Sequence, residues 1–458
     1  MNAFAVSQEE EQLVLLLASF PRSSAQALMA RLKPSISQPT FSRRIEAMEG
    51  RGIVKREGRG RSTVYSLVDP QWYLNLPVQK RTATTYRFEW LENFDPQQHR
   101  FLAGEGDQRL HELGKVPGIS PNLFFQRVYE RFLIDLSYAS SKMEGNTYTL
   151  LDTEKLLKEG SAAEGKAAEE ATMILNHKDA IVYLVENLAK LSVSERDIKN
   201  LHALLSRDLV QEGEPGRLRT RLVNITKTAY SPLAVPQQID EQFKLLVRKA
   251  NEIASPFEQS IFLLVGLSYL QPFIDVNKRT ARLAANIPLF KAGLCPLSYR
   301  HMDSARYMGG LLLFYETLNA DGITAAFVDG YEKSSSMLKS HYEEHRRKPD
   351  RVDLAYRRGI NQVIREVILY GKSNDDRDRI VTKWLATAPE EDRDQLLERI
   401  HVKLEHIAAD EAALYGVTPE DIGEFLRGRK RPRSAALVPT NPKSPSTLRR
   451  NTRQARKS

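Results

Sequence analysis

Cysteine is almost absent from this sequence of 458 residues, which contains only Cys295. A lone cysteine excludes an internal disulfide and gives no metal-site spacing, so we expect a small buried side chain there. Long apolar runs are absent too. The longest, at 261–267, is far below the roughly 20 residues that a membrane span needs. The N-terminus turns acidic at 9–11 without the basic and apolar regions of a signal peptide. These absences predict a cytoplasmic protein with no membrane partner.

Acidic residues are missing from the end of the chain. Positions 427–458 hold eleven basic residues and no acid, and since the whole sequence carries +9, the part before them carries −2. This segment is rich in Pro, Ser, Thr and Asn and lacks periodic apolar residues, which predicts a disordered tail. Such a tail serves either as a solvated solubility segment or as a sequence-independent attraction for nucleic acid.

The first 70 residues have the pattern of three helices followed by a basic hairpin. Apolar residues recur at helical spacing up to Met48, and two strand-like runs then flank a turn of glycines and arginines. This order resembles the winged helix-turn-helix of bacterial transcription regulators. Between 43 and 61, seven basic residues stand against three acidic ones, which favours DNA over a protein-docking module. The residues available for bases and phosphates are Gln38, Thr40, Ser42, Arg43, Arg44, Arg59 and Arg61.

The stretch QPFIDVNKRTAR at 271–282 combines an acid, a predicted helix start and two spaced arginines. Asp275 is a hard oxygen ligand suited to Mg²⁺, and residues 277–279 offer hydrogen-bond donors where the helix begins. Arg279 and Arg282 are three positions apart, so they project from the same helix face. The pattern predicts phosphate chemistry.

This stretch closely resembles the signature of the Fic (Fido) family, His-Pro-Phe-x-acid-Gly-Asn-Gly/Lys-Arg-x-x-Arg. That family typically moves the AMP part of ATP onto a hydroxyl side chain, and the leading histidine removes the hydroxyl proton. Here Gln271 stands in the histidine position and Val276 in the glycine position. An amide cannot act as the base, so the rate should fall by roughly 10²- to 10⁴-fold.

The resemblance implies that ATP and Mg²⁺ still bind, because the other motif residues carry metal and phosphate contacts. It assigns Asp275 to the metal. The residues that it assigns to the phosphates are Asn277, Lys278, Arg279 and Arg282.

Two further segments resemble parts of the Fic family. Ser140, Glu144 and Gly145 fit its inhibitory pattern, Ser/Thr-x-x-x-Glu-Gly/Asn, in which the glutamate pairs with the second motif arginine, here Arg282. Gly145 is also suited to close the preceding helix in the left-handed conformation. Alternating β-branched residues at 221–232 predict a short hairpin. It resembles the family's flap, which binds a target peptide by strand addition, and its predicted contacts are Thr228, Ala229 and Tyr230.

The expected fold class is mainly α. It comprises a Fic helical bundle with a short β-hairpin flap, preceded by a winged helix-turn-helix and followed by further helices and a disordered basic tail. The expected boundaries are 1–70 for the DNA-binding domain, 71–117 for a connector packed on the bundle, 118–345 for the Fic domain, 346–426 for a helical region and 427–458 for the tail. Apolar residues recur at helical spacing in the region 346–426, which indicates packing faces and predicts no catalytic or binding residue.

Two functions of different classes follow from these residues. One is a transcription regulator whose Fic bundle binds nucleotide with little or no transfer, and Gln271 favours it. The other is an AMP-transferase restrained by Glu144, in which another residue or water replaces the base. Removal of AMP is a third, lesser option. His301 is more simply structural than a replacement base. A homodimer is expected if the operator is palindromic, and the sequence leaves the oligomeric state open.

Overall fold

The computed structural model of the protein describes residues 6–115, 121–188, 190–345 and 351–429. The chain divides into two compact units, one within 1–348 and one within 349–458. The described residues of both units are mainly helical, which confirms the predicted fold class.

The first unit begins with three helices and an antiparallel hairpin. These are α1 (Gln8–Ser19), α2 (Ala25–Arg31), α3 (Gln38–Gly50), β1 (Val54–Glu57) and β2 (Val64–Leu67). Ser37 caps α3 by accepting the N–H of Thr40, which satisfies one of the free donors at a helix start. The hairpin pairs Val54 with Leu67. An apolar core formed by residues such as Leu13 holds these elements together.

A connector joins these elements to the bundle. It contains α4 (Gln71–Leu74), β3 (Thr84–Thr85), α5 (Phe88–Glu92) and α6 (Gly106–Gly114). Trp72 and Tyr73 complete the N-terminal core together with Leu313, which belongs to the bundle. Tyr86 stacks on Tyr269 of the bundle with ring centroids 4.9 Å apart. The connector is therefore packed against the bundle along its length.

The bundle surrounds one long apolar helix. Its elements are α7 (Pro121–Lys142), α8 (Leu150–Glu159), α9 (Ala168–Glu186), α10 (Glu195–Ser206), β4 (Tyr230–Ser231), α11 (Pro236–Glu252), α12 (Pro256–Leu270), α13 (Asn277–Ala284), α14 (Asn286–Lys291), α15 (Ser304–Thr317) and α16 (Asp321–His345). From Ser260 to its end, every residue of α12 is buried, which agrees with the apolar run at 261–267. This helix places the motif that follows it at the centre of the unit.

The segment 221–232 differs from the predicted hairpin in its pairing. It contributes one strand, β4, and that strand pairs in parallel with β3 of the connector. The physical reason is that Tyr230 is buried and its hydroxyl donates to the Tyr269 carbonyl at 2.8 Å. This bond holds the strand against the end of α12, where the connector runs. Alternation along a sequence predicts a strand but does not identify its partner.

The second unit is a helical domain with its own apolar core. It contains α17 (Arg351–Tyr370), α18 (Asn374–Leu385), α19 (Glu390–His406), α20 (Ala412–Tyr415) and α21 (Pro419–Arg429), with a 3₁₀ turn at Ala409–Glu411. The tail from residue 430, predicted to be disordered, lies outside the described residues. Across the ranges that the structure covers, no helix has both the length and the apolar character that crossing a membrane requires.

Candidate functional site

The loop between α12 and α13 is bracketed by two residues in the left-handed conformation. Gln271, which ends α12, has φ 49°, and Val276, which precedes α13, has φ 63°. This conformation is unfavourable for any residue with a Cβ and most of all for a β-branched one, at a cost on the order of 1–3 kcal/mol. The surrounding protein must therefore hold the loop in place.

Arg219 is the residue that holds the start of this loop. It is buried, and its Nε donates to the Gln271 carbonyl at 2.6 Å while its own N–H donates to the Pro272 carbonyl at 3.0 Å. Its two Nη atoms donate to the carbonyls of Arg221 and Leu233. One guanidinium thus connects the motif to both ends of the segment that carries β4. Sequence reasoning missed it, since its partners are all main-chain carbonyls.

Asn277 and His202 hold the rest of the loop. The Asn277 amide accepts the N–H of Phe273 and donates to the Phe273 carbonyl, both at 2.8 Å. Its side chain therefore closes the loop, and phosphate binding at Asn277 stays a prediction for its main-chain N–H. His202 Nδ1 accepts the N–H of Gly216 at 2.9 Å, so Nε2 carries the proton and donates to the Asp275 carbonyl at 3.2 Å. Burial lowers the pKa of His202 to about 4, and the ring stays neutral.

The start of α13 presents free donors and a buried cation. The first intrahelical hydrogen bond is donated by Thr280 to the Val276 carbonyl, so the N–H groups of residues 277–279 precede it, as in any helix start. Arg279 is 6% exposed, and its Nη1 is buried without a hydrogen-bond partner in the described part of the chain. Burial lowers the pKa of this guanidinium, while Glu144 and Asp275 act the other way. An unpaired buried nitrogen here favours an anionic ligand.

Glu144 is bound by two cations of the motif. Its Oε1 accepts from Arg282 Nη2 at 2.7 Å, and its Oε2 lies 3.0 Å from Lys278 Nζ. The side chain of Arg282 is fully buried, whereas those of Lys278 and Glu144 are 26% and 16% exposed. The predicted pairing with Arg282 is present, and the contact with Lys278 is additional. Glu144 therefore bridges the two cations, with one carboxylate oxygen on each.

The charge of Glu144 is constant across the physiological pH range. Burial alone would raise its pKa, but Arg282 and Lys278 outweigh burial and hold the pKa at about 2, below the ordinary value of 4.5. A carboxyl with a depressed folded-state pKa stabilises the fold above its ordinary pKa, and that stabilisation is lost as pH falls towards 2. Displacement of Glu144 near neutrality must therefore come from a ligand or a conformational change.

Ser140 connects this ion pair to a buried histidine. Its Oγ accepts from Arg282 Nε at 2.9 Å and lies 2.8 Å from His177 Nε2. His177 Nδ1 lies 2.8 Å from the Met173 carbonyl and so carries the proton, which leaves Nε2 to accept from Ser140. Burial lowers the pKa of His177 to about 3. The neutral ring fixes the Ser140 hydroxyl, and this hydroxyl fixes the plane of the Arg282 guanidinium.

The predicted helix end at Gly145 is present. Gly145 has φ 95°, in the left-handed region, and the N–H of Asn146 returns to the Ser141 carbonyl at 3.2 Å. This closure ends α7 and turns Glu144 towards α13. The glycine is required because a side chain at this φ would be strained.

Gln271 offers no proton acceptor. Its Nε2 donates to the Ser268 carbonyl at 2.6 Å, within the last turn of α12. Burial lowers the pKa of His301, and the charged groups that act on it, Arg300, Asp135, Arg131 and Lys333, lie outside the motif.

The predicted flap contacts are turned inward. Thr228 Oγ1 and the N–H of Ala229 donate to Glu316 Oε1 at 2.7 and 2.9 Å, and the Ala229 carbonyl accepts from Thr84. Tyr230 is buried as well, and its hydroxyl is bound within the chain. That these three residues bind a target peptide stays a prediction. Leu222, 70% exposed, lies on the part of the segment that faces solvent.

Glu316 is the centre of this arrangement. Its carboxylate also accepts from Arg81 Nη1 at 2.8 Å and from the hydroxyl of Tyr73, and the Glu316 and Arg81 side chains are 0% and 3% exposed. We call Tyr73, Arg81, Thr228, Ala229 and Glu316 the Glu316 cluster. It joins the connector, the β4 segment and α15 through one buried charge, and nothing in the local sequence indicated it.

Some of the predicted DNA contacts are exposed and form no ion pair with a described residue, whereas others are bound within the chain. Arg43, Arg59 and Arg61 are exposed and have no ion-pair partner within residues 6–115 or elsewhere in the described chain. Arg44 pairs with Glu9 at 3.0 Å. Thr40 is engaged with the Ser37 cap. The remaining two candidates, Gln38 and Ser42, are exposed and partly exposed, respectively.

The motif residues fit a magnesium nucleotide. Arg279 has a free buried donor, and Asp275 is exposed with one carboxylate oxygen bound by the N–H of Val276 at 2.6 Å. Across the described residues no group of three or more His, Cys, Asp or Glu side chains is placed to hold a metal. Mg²⁺ is usually held by one or two carboxylates together with phosphate oxygens. Asp275 therefore suits a metal ion that arrives with its nucleotide.

Sequence comparison with known proteins gives matches to one family. Residues 192–289 match the model described as Fic/DOC family. A protein adenylyltransferase Fic of Nematostella vectensis is 30% identical over 222 residues, which are 46% of this chain and 48% of that protein. Another, of Drosophila willistoni, is 31% identical over 182 residues, which are 39% of this chain and 36% of that protein. The chain thus matches about half or less of the length of these curated relatives.

Solved structures of the same family resemble the chain in part. Fic-1 (residues 134–508) from C. elegans is 18% identical with a TM-score of 0.45, covering 73% of this chain and 83% of that one. A Fic domain containing signaling protein from Bacteroides thetaiotaomicron is 17% identical with a TM-score of 0.43, covering 52% of this chain and 98% of that one. Because both TM-scores are below 0.5, the similarity to the Fic/DOC family rests on the sequence matches.

Proposed function

We propose that the chain is a Fic-domain protein whose Fic domain is a nucleotide-binding switch that transfers AMP poorly or not at all. The observation that carries this proposal is a group of three neighbouring cations, in which Glu144 bridges Arg282 and Lys278 while Arg279 keeps a buried nitrogen without a hydrogen-bond partner among the described residues. Three cations around one buried carboxylate leave positive charge that a polyphosphate can neutralise. The name of the relatives, protein adenylyltransferase, makes ATP the first nucleotide to test.

Each motif residue has a defined part in this proposal. Arg279 and Arg282 bind phosphate oxygens, and Asp275 holds Mg²⁺, which neutralises phosphate charge when it is bound. Gln271 cannot take a proton, and its amide is already committed to the Ser268 carbonyl. Binding and turnover are therefore separate properties of this site.

Magnesium-ATP binding should tighten when Glu144 is removed. Calorimetry on Glu144→Gly is expected to give a Kd about tenfold or more below that of the unaltered chain, because two cations are released for the phosphates. Adding Arg279→Ala should weaken binding again by about 10- to 100-fold. Arg248→Ala, at an exposed position of α11, is the matched control and should change nothing. Absence of heat with Glu144→Gly at any ATP concentration would refute the proposal.

The N-terminal elements complete the proposed function as a DNA-binding module. Support comes from α3, capped by Ser37 and preceding the basic hairpin, and from Arg43, Arg59 and Arg61, which are free to reach phosphates or bases. Nucleotide occupancy would then alter operator affinity, which makes the chain a transcription regulator. Two copies would be needed at a palindromic operator.

Point substitutions test this module better than a deletion, since Trp72 and Leu313 share its core. The triple change Arg43→Ala, Arg59→Ala and Arg61→Ala should abolish specific retention of the promoter next to the gene. The slope of log affinity against log salt should become shallower by about 0.9 for each phosphate that the variant no longer neutralises. The control is Arg56→Ala, because Arg56 already pairs with Glu49 at 2.8 Å. Unchanged promoter binding by the triple variant would exclude this module as the DNA-binding element.

One observation favours a second function, a restrained AMP-transferase. Glu144 binds Arg282, and Arg282 is held in turn by the buried side chains of Ser140 and His177. A carboxylate fixed by this many buried partners is expected if it restrains an activity. Protein labelling by ATP that carries its label in the α-phosphate separates the two functions.

A further inference from the structure

His177 lies behind the ion pair of Glu144 and Arg282, in the interior of the bundle. The preceding residue of α9, Asn176, donates through its side-chain amide to two main-chain carbonyls at the end of α10, at 3.3 and 2.6 Å. These bonds fix this turn of α9 against α10. The side chains of Asn176 and His177 belong to residues that are each 1% exposed. His177 can therefore act on a ligand of the motif only through its neighbours.

The neighbour through which His177 acts is the hydroxyl of Ser140. Because His177 Nδ1 carries the ring proton, Nε2 accepts the single proton of this hydroxyl at 2.8 Å. The lone pairs of the oxygen are thereby left for Arg282 Nε, which donates to it at 2.9 Å. Without an acceptor at residue 177, the hydroxyl proton could turn towards Arg282, where it would oppose the guanidinium N–H.

Two hydrogen bonds hold Arg282 independently of Glu144. Nε donates to Ser140 Oγ, and Nη2 donates to the Ser140 carbonyl at 3.0 Å. The ring of Tyr307 also lies beside the guanidinium, with its centroid 5.7 Å from Cζ. Removal of the Glu144 carboxylate would therefore leave the guanidinium in its present orientation, with Nη2 released from one of its two acceptors.

Glu144 itself lies two residues beyond the end of α7. Its main-chain bond spans three residues instead of four, since its N–H donates to the Ser141 carbonyl at 3.0 Å, and bonds of this kind have the poorer geometry of a 3₁₀ turn. The chain is anchored again at Asn146, whose side-chain amide donates to a carbonyl of α9 at 2.9 Å. A displacement of Glu144 can therefore be confined to residues 143–145, and the turn of α7 that carries Ser140 need not move.

We propose that His177 is a positioning residue, which through Ser140 keeps Arg282 in one orientation both when Glu144 binds it and when a phosphate replaces Glu144. This inference rests on the proposed nucleotide site and concerns its regulation. Release of the site is then a displacement of Glu144 alone, and the guanidinium meets the phosphate without rearranging. Such a donor binds more tightly, because it is already ordered before the ligand arrives.

The test measures magnesium-ATP binding by calorimetry in the full chain carrying Glu144→Gly, in which Arg282 has lost its carboxylate partner. Adding His177→Leu removes the acceptor of the Ser140 hydroxyl and should weaken binding by about 5- to 100-fold. Adding His177→Gln instead should restore most of the affinity. The glutamine carbonyl can accept from Ser140, and its amide can donate to the Met173 carbonyl as the ring does.

A double-mutant cycle shows whether the effect passes through Ser140. In the same Glu144→Gly background, Ser140→Ala should weaken binding about as much as His177→Leu, and the two together should weaken it no further. The matched control is Ser137→Ala, three positions earlier on α7. Ser137 is buried, and its hydroxyl has no hydrogen-bond partner among the described residues. This control should change the Kd by less than about twofold.

Three results would overturn the role of His177 while the nucleotide site is retained. They are an unchanged Kd on adding His177→Leu, additive losses from His177→Leu and Ser140→Ala, and a loss from Ser137→Ala equal to that from Ser140→Ala. No heat with Glu144→Gly itself would refute the nucleotide site, and this inference with it. If circular dichroism shows that His177→Leu does not fold, His177→Asn takes its place, since its shorter side chain cannot reach both partners of the ring.

Discussion

Gln271→His should raise the AMP-transfer activity of the protein far above that of the unaltered chain. With Mg²⁺ and ATP labelled in the α-phosphate, Gln271→His is expected to raise protein labelling by about 10²- to 10⁴-fold, because an imidazole can take the hydroxyl proton. Arg219 fixes the main chain at this position through the carbonyl of residue 271, so the new side chain does not require the loop to rebuild. Adding Glu144→Gly should raise labelling further, because Arg282 and Lys278 become free for the phosphates.

The control for this result is Gln271→Asn, which changes the side chain but supplies no titratable group. It should label no better than the unaltered chain. Labelling by Glu144→Gly alone would mean that another group accepts the proton, and the restrained transferase would then replace the switch as the function. Release of labelled AMP from an already modified protein would support the third option, removal of AMP.

Neutralising Glu316 should destabilise the first unit by about 3–5 kcal/mol. Glu316→Gln keeps the size of the side chain but leaves the buried guanidinium of Arg81 without its counter-charge, and an unpaired buried charge costs about this much. Unfolding in denaturant can be followed by the fluorescence of Trp72, which is buried in the N-terminal core. Trypsin should also cut faster after Lys227, because Glu316 anchors the two residues that follow it.

Two further variants make the Glu316 result specific. Glu241→Gln, at an exposed position of α11, should leave both stability and cleavage unchanged. Combining Glu316→Gln with Arg81→Met removes the unpaired charge and should restore part of the lost stability. If Glu316→Gln neither lowers the denaturation midpoint nor speeds cleavage, the carboxylate is not a structural link.

The sequence predicts those parts of the fold and site that are local. The helix after Val276, the buried run of α12 and the closure of α7 at Gly145 each depend on residues close together in the chain. The pairing of Glu144 with Arg282 spans 138 positions, and only the family resemblance indicated it.

Other parts of the site were not predictable because their partners are main-chain atoms or single distant residues. Arg219 donates to carbonyls, which every residue has, so no residue type marks its contacts. His177 and His202 act through one serine and one carbonyl, with no spacing that identifies them. The bonds from Thr228 and Ala229 to Glu316 and the burial of Tyr230 were not predictable either, because alternation does not show which face of a strand is covered.

The Glu316 cluster determines where the chain can be divided to make a chimera with another protein. A chimera joined near residue 117 would lose Tyr73, Arg81 and the strand Thr84–Thr85, and would leave the buried Glu316 carboxylate without its counter-charge. A junction before Asp69 retains all of them. Exchange of the N-terminal three helices and hairpin, in the laboratory or by gene fusion, should therefore succeed only when the segment 69–87 is kept with the bundle.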